Sequence, residues 1–167
     1  YHAASWSDAE MLANTSIAEF GHIDILVNNA GMSPLYSSLV EVTEDLYDKV
    51  LGVNLKGPFR LSALIGTHMT TKSADGTVRG GSIINVSSIA SQRPSPNEVI
   101  YGAAKAAVNN LTMGLARTYA PHVRVNCIVP GPFLTDISKA WDMERFNKAA
   151  KTGYMLQRGG EPHEIVG

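Results

Sequence analysis

A tyrosine and a lysine stand four residues apart in the stretch "VIYGAAKAAVNN", residues 99–110. Residues four apart on a helix share one face, so Tyr101 and Lys105 would be neighbours there. A phenol has an ordinary pKa of about 10, and a nearby ammonium lowers that pKa because it stabilises the phenolate. A decrease of about two to three units would make Tyr101 an acid or base near neutral pH. The same pair is also typical of a solvated helix surface, so the surrounding residues must decide between the two interpretations.

A serine precedes this pair at the end of an apolar run. Ser88 closes the stretch "GSIINVSS", and it lies thirteen residues before Tyr101. Parallel strands deliver their carboxyl ends to the ligand crevice of an open sheet. We therefore expect the Ser88 hydroxyl to bind a substrate oxygen while Tyr101 gives or takes the proton, and strand alternation should turn Ser87 away. Two other segments, "NNAG" (28–31) and "PGPFLTD" (130–136), also follow apolar runs and would reach the same crevice.

Helices and strands that alternate along the chain would position these residues. Ser7 and Glu10 form a capping-box pattern before the first helix, and Thr43 is expected to cap the second, which Gly57 and Pro58 should bend. The apolar runs between helices suit strands that are buried on both faces, as in a parallel sheet. Helices are predicted over 7–20, 44–69 and 100–119, and strands over 23–31, 82–88 and 123–129. This order predicts an α/β fold with a parallel sheet.

The helix over 100–119 is apolar nearly all round, which predicts burial on more than one side. One side must cover the sheet. The other side would meet a second subunit, because its alanines allow two helices to approach closely. We therefore expect a homo-oligomer, either a homodimer or a homotetramer.

Composition excludes several classes of protein. The chain has 167 residues, a net charge of −1 and 44% hydrophobic residues, so nucleic acids and anionic membranes are not expected as partners. No apolar run is long enough to span a bilayer, and the first residues do not resemble a signal peptide. The single cysteine, Cys127, excludes an internal disulfide and is expected to be buried in a strand. The five histidines lack metal-ligand spacing, so no metal site is expected. We expect a cytoplasmic protein.

Four motifs in register carry a family resemblance. The stretches "NNAG", "GSIINVSS", "YGAAK" and "VNCIVPGPFLTD", in this order and spacing, resemble the classical short-chain dehydrogenase/reductase family. The resemblance implies a Rossmann-type doubly wound parallel sheet and hydride transfer between NAD or NADP and a hydroxyl or carbonyl carbon. The expected partner is therefore a small-molecule alcohol or ketone. NAD and NADP stay undecided.

The resemblance also assigns roles to single residues. Tyr101 would be the general acid/base, Ser88 would orient the substrate oxygen, and Asn54 would hold a water of the proton relay. Lys105 would lower the pKa of Tyr101 and bind the hydroxyls of the nicotinamide ribose. Outside this family, Asn54 would be interpreted as a helical asparagine bonding its own backbone. The remaining cofactor contacts would border the adenosine ribose at Asn28, Ala30 and Gly31 and place the nicotinamide carboxamide at Pro130, Phe133 and Thr135.

The sequence departs from the family at its two ends. The Gly-rich turn that holds the cofactor's pyrophosphate should come before the residues present here, and it is not found in them. At the other end, the residues stop at "EIVG", before the last strand that the family is expected to have. Residues 1–167 are therefore expected to form one Rossmann-type domain that is a fragment of a longer one, with one flank of the sheet exposed. Two interpretations follow: part of an oxidoreductase, or a non-catalytic binding or interaction module unable to hold the dinucleotide. Substrate choice would depend on the segments 89–100 and 132–160, which do not identify a substrate.

Overall fold

A computed structural model describes residues 1–166, apart from the side chains of Ile137 and Ala140. The described chain forms two compact units, Tyr1–Val129 and the residues from Pro130 onward. A single domain over residues 1–167 stays a prediction.

A three-stranded parallel sheet is the centre of the first unit. Its strands are β1 (Ile25–Asn28), β2 (Gly81–Val86) and β3 (Val123–Ile128), in that spatial order. The register pairs Asn28 with Asn85 and Asn85 with Cys127, so the three carboxyl ends lie at one edge. The predicted α/β fold with a parallel sheet is confirmed.

Helices α1 (Trp6–Phe20), α3 (Gly57–Thr70) and α4 (Val99–Tyr119) bury the core of this unit. Helix α3 contacts all three strands, and α4 packs on β3. The core cluster consists of Ala13 from α1, Ile65 and Met69 from α3, Leu115 and Tyr119 from α4, and Ile83, Val123 and Val125 from the strands.

The opposite face of the sheet is largely open, which corrects the expectation that the strands are buried on both faces. In β1, Ile25 is 63% exposed and Val27 is 53% exposed. In β3, Arg124, Asn126 and Ile128 alternate with the buried valines and are exposed as well. The residues that alternate with these exposed ones, Leu26 in β1 and Val123 and Val125 in β3, pack in the core beneath the helices. The predicted exposure of apolar sheet surface is confirmed.

Local details correct the element boundaries. Helix α1 begins at Trp6, and its cap is Ser5, whose hydroxyl accepts from the backbone N–H of Asp8, rather than Ser7. The strands are shorter than predicted: β1 ends at Asn28, the first residue of "NNAG", and β2 ends at Val86, before Ser87 and Ser88. Cys127 is partly exposed on β3 rather than buried.

The long helix predicted over 44–69 is divided. Thr43 caps α2 (Glu44–Leu51) as expected, with its hydroxyl accepting from Leu46 N–H. A π-helical turn, Gly52–Lys56, then joins α2 to α3, and Gly57 N–H donates to Gly52 O five residues back. The irregularity therefore lies before Gly57 and Pro58 rather than at them.

The second unit contains α5 (Met143–Gly153) and two short 3-10 helices, Asp136–Ala140 and Pro162–Ile165. Phe133 and Gly160 form an isolated parallel bridge, and the rings of Trp141, Phe146 and Tyr154 pack in a row. Among the described residues of both units, no helix is long and apolar enough to cross a membrane.

Candidate active site

Ser88 and Tyr101 lie at the carboxyl end of β2 and in the first turn of α4. Ser88 leaves the strand in an extended conformation and caps the 3-10 turn Ile89–Ser91, because its hydroxyl accepts from Ala90 N–H at 3.1 Å. Ser87 points the other way, as predicted: it is buried and donates to Lys105 O at 3.0 Å. This bond fixes the end of β2 to the middle of the helix that carries Tyr101.

The Tyr101 phenol is half-buried, and its environment contradicts one expectation. Burial raises the pKa of Tyr101 above its ordinary value, the Ser88 hydroxyl acts in the opposite direction, and the Glu98 carboxylate adds to the increase. A pKa lowered by Lys105 was predicted. The Lys105 ammonium lies 5.6 Å from the centroid of the phenol ring, and desolvation of the phenol is the largest influence on its pKa. The phenol of this chain is therefore protonated at neutral pH.

Lys105 is a buried cation, with only 4% of its surface exposed. Its Nζ donates to Val86 O at 2.8 Å, across to the last residue of β2. Burial lowers the pKa of Lys105 to about 8, while Cys127 acts in the opposite direction. That single bond, among the described residues, leaves two of the three ammonium protons for another acceptor.

Asn54 occupies the π-helical turn and is fully buried. Its Nδ2 donates to Met32 O at 2.8 Å and to Val50 O at 2.9 Å, and its Oδ1 accepts from Met32 N–H. The bond to Val50 O agrees with the interpretation of Asn54 as a helical asparagine bonding its own backbone, and the two bonds to Met32 fix the loop after β1. The water of a proton relay at Asn54 stays a prediction. Single π-helical turns often mark functional sites, because the extra residue re-aims a side chain.

The loop after β1 brings Gly31 against two of these side chains. A Cβ at Gly31 would lie 3.1 Å from Asn54 Oδ1 and 3.5 Å from Lys105 Nζ, and both Ala30 and Gly31 are exposed. The structure thus joins Asn54, Gly31 and Lys105 in one small region. Exposed backbone beside an ammonium with free protons suits a ligand that carries hydroxyl groups.

Asn28 is placed differently from the other residues of "NNAG". Its side chain is buried, and its Nδ2 donates to Ser62 Oγ at 2.9 Å and to Asn85 Oδ1 at 2.8 Å. Asn85 Nδ2 in turn donates to Thr112 Oγ1 on α4 at 2.9 Å. The side-chain amide of Asn28 is therefore engaged in hydrogen bonds inside the protein, where it connects β1 to α3 and β2.

The remaining predicted contacts, Pro130, Phe133 and Thr135, belong to the second unit. There Leu134 N–H donates to Gly160 O at 2.8 Å, and Thr135 N–H donates to Phe133 O at 3.0 Å. These bonds shape the turn that follows Pro130. The nicotinamide contact of these three residues stays a prediction.

Several residues of the site region were missed from the sequence. Asn85 could have been noticed as a polar residue inside an apolar strand. Thr112 could have been noticed because it lies seven residues after Lys105, on the same face of α4. Asn109, whose Nδ2 donates to Ser91 Oγ at 2.9 Å and whose Oδ1 accepts from Cys127 Sγ, sits one turn beyond Lys105. Tyr36 accepts a hydrogen bond from the start of α4, and no sequence pattern around it points to this contact.

Comparison with known proteins identifies relatives over almost the whole chain. The family model described as short chain dehydrogenase matches residues 2–145. The human protein named dehydrogenase/reductase SDR family member 4 is 36% identical over 168 residues, covering 99% of this chain and 58% of the relative. A Thermotoga maritima protein named an uncharacterized oxidoreductase is 41% identical over 165 residues, covering 95% of this chain and 63% of the relative. The chain thus spans about three fifths of the length of these relatives.

Solved structures give the same result for the fold. A gluconate 5-dehydrogenase from Burkholderia cenocepacia, crystallised with NADP and tartrate, is 29% identical with a TM-score of 0.86 over 96% of this chain and 61% of that one. A 3-oxoacyl-(acyl-carrier protein) reductase from Brucella melitensis, crystallised with NAD, is 27% identical with a TM-score of 0.86 over 96% of this chain and 64% of that one. The solved structures and the family model agree with the Rossmann-type parallel sheet of this chain. The chain belongs to the short-chain dehydrogenase family of oxidoreductases.

Proposed function

We propose that the protein transfers hydride between NAD or NADP and a hydroxyl or carbonyl carbon of a small-molecule alcohol or ketone, with Tyr101 as the general acid/base. The observation that carries the proposal is the position of Tyr101 beside Ser88 at the carboxyl end of β2, with the buried Lys105 one helical turn away. A phenol, a hydroxyl and a cation at a strand end suit proton transfer to a bound oxygen.

The residues of this chain would handle the proton and the oxygen. In reduction, the Tyr101 O–H gives its proton to the carbonyl oxygen as the carbon gains hydride, so C=O becomes CH–OH and Tyr101 becomes phenolate. In oxidation, the phenolate takes the hydroxyl proton as the carbon loses hydride. Ser88 would donate its hydroxyl proton to the same oxygen and fix its position. Because burial raises the pKa of Tyr101, the phenol starts in the protonated form that reduction requires.

Lys105 and Asn54 would support this step. The two ammonium protons that Val86 O does not take fit the hydroxyls of a nicotinamide ribose, and the exposed backbone at Gly31 leaves space beside them. The bound dinucleotide supplies the hydride acceptor or donor. The charge of Lys105 favours the phenolate that reduction leaves behind. Asn54 would act by holding the loop at Met32, which keeps Gly31 against Lys105.

The proposed assembly is a homodimer or homotetramer in which the outward side of α4 meets a second copy. This side is a stripe of exposed residues at helical spacing, Ala103, Ala106, Asn110, Met113 and Arg117. Leu55 and Phe59 line the adjoining groove together with Leu111. Small side chains flanked by apolar ones permit close helix packing between subunits.

The decisive experiment removes one hydroxyl group from the complete protein. Tyr101→Phe should reduce kcat for a panel of ketones and alcohols, tested with both NAD(H) and NADP(H), by about 10²–10⁴, because general acid–base catalysis contributes that much. Tyr47→Phe is the matched control, since Tyr47 lies on α2 and is 47% exposed. Circular dichroism should show both variants folded. Full activity of Tyr101→Phe with a substrate that the unaltered protein turns over would refute the proposal.

A further inference from the structure

The amino end of α4 receives its hydrogen-bond acceptor from a distant part of the chain. The first N–H groups of a helix have no partner within it and are usually satisfied by the side chain of the preceding residue. Glu98 holds that position in α4, and its side chain makes no capping bond. Instead, Val99 N–H donates to the hydroxyl oxygen of Tyr36 at 2.7 Å, across 63 residues of sequence. Tyr36 thus acts as a cap for α4.

This cap is placed where the site needs it. Val99 lies two residues before Tyr101, so the turn that Tyr36 holds is the turn that carries the phenol. Tyr36 itself belongs to the loop after β1, which Asn54 fixes at Met32. The bond therefore connects the loop of Gly31 and Met32 to the start of the helix on which Tyr101 lies.

The segment leading into α4 forms one turn of its own, in which Glu98 N–H donates to Ser95 O at 3.0 Å and Ser95 Oγ donates to Glu98 Oε2 at 3.0 Å. Residues 92–97 are all exposed and include Pro94 and Pro96. The start of the connection is tied by Asn109, which donates to Ser91 at 2.9 Å. At its other end, the bond from Val99 to Tyr36 ties the chain to the remainder of the unit. This second tie acts beside the bonds of Ser87 and Lys105 that join β2 to α4, and it holds the first turn of the helix, which those bonds do not reach.

We propose that Tyr36 is a positioning residue, whose hydroxyl oxygen holds the first turn of α4 and thereby keeps the Tyr101 phenol within reach of Ser88. The proposal rests on the proposed function of Tyr101 and deepens it. A half-buried phenol is well suited to this task, because its rigid ring fixes the acceptor oxygen with few rotatable bonds.

The test is Tyr36→Phe in the complete protein, which removes the acceptor oxygen and keeps the ring. Loss of a helix cap changes the ratio of intact to frayed first turns by about fivefold. We therefore expect kcat for ketone reduction to fall about fivefold while the KM for the dinucleotide stays unchanged. The amide of Val99 should exchange with solvent about fivefold faster, with unchanged exchange in β2. Tyr47→Phe should leave both readings at the values of the unaltered protein.

Two readings separate this proposal from the proposed function. Amide exchange at Val99 reports the cap without any turnover, whereas Tyr101→Phe reports the acid/base role. Faster exchange at Val99 together with a lower kcat supports the positioning role of Tyr36. Unchanged exchange at Val99 overturns it, and so does faster exchange with an unchanged kcat. A uniform loss of protection across the whole unit also overturns it, because Tyr36 would then be a general stabilising residue.

Discussion

Burial shifts the pKa values of the two ionisable residues of the site in opposite directions. It raises the pKa of the Tyr101 phenol and lowers the pKa of the Lys105 ammonium to about 8, since desolvation disfavours both charged forms. Below pH 8 the pair therefore consists of a neutral phenol and a cation. Above pH 8 the cation is lost well before the phenol ionises. At this scale Lys105, rather than Tyr101, is the residue that titrates near the physiological range.

This order of titration predicts the pH dependence of reduction. The kcat/KM for a ketone should be constant below pH 8 and should decline as pH rises through about 8, because Lys105 loses its charge while Tyr101 keeps its proton. Lys105→Arg should remove this decline, since a guanidinium stays protonated throughout. Initial rates of the complete protein over a pH series give the profile. A decline near pH 8 that persists in Lys105→Arg would show that another group controls it.

At the scale of elements, a chain of buried hydrogen bonds fixes β1, β2, α3 and α4 to one another. Asn28 bonds Ser62 and Asn85, and Asn85 bonds Thr112, whose hydroxyl donates to Val108 O at 2.8 Å. All these side chains are buried, so each group that loses its partner would be left unsatisfied. The chain of bonds lies just behind the strand ends that deliver Ser88 to the site.

Thr112 gives a clean test of this network. Thr112→Val should lower the free energy of unfolding by about 1–3 kcal/mol, because Asn85 Nδ2 loses its acceptor in a buried place. Thr118→Val is the matched control, since Thr118 lies on the same helix and donates to the carbonyl four residues back, but is exposed. Its effect should stay within about 0.5 kcal/mol. Equal effects of the two substitutions in urea unfolding would contradict the role of the network.

Sequence patterns predicted the elements but not their contacts. The apolar runs located β1, β2 and β3, and strand alternation correctly turned Ser87 away from Ser88, because both follow from local periodicity. The cap of α1 was predicted at Ser7 instead of Ser5, because Ser7 satisfies the same local rule. The raised pKa of Tyr101 depends on burial, and the bond from Val99 to Tyr36 joins residues that only the fold brings together. Neither can be obtained from spacing along the chain.

For the whole molecule, the exposed stripe on α4 predicts assembly. The complete protein should sediment as a homodimer or homotetramer at micromolar concentration. Met113→Glu should shift it to smaller species, because a charge at a side chain that is 59% exposed in the single chain would be buried between subunits. Met155→Glu is the control, since Met155 is fully exposed in the second unit. Sedimentation velocity of the three proteins decides, and a monomeric unaltered protein would end the proposal.

The π-helical turn has a consequence for how this protein tolerates changes in length. Gly57 N–H donates to Gly52 O five residues back, so the turn takes up one residue more than an α-helical turn while α3 keeps nearly the direction and phase of α2. Deleting one residue there would let Gly57 bond Gly52 as in a continuous α-helix, and Ser62 would still face Asn28. Deleting one residue inside α3 would instead rotate the residues beyond it by about 100°. A single codon lost from the π-helical turn would therefore leave the helix that supports the sheet in place and would change only the aim of Asn54 toward Met32.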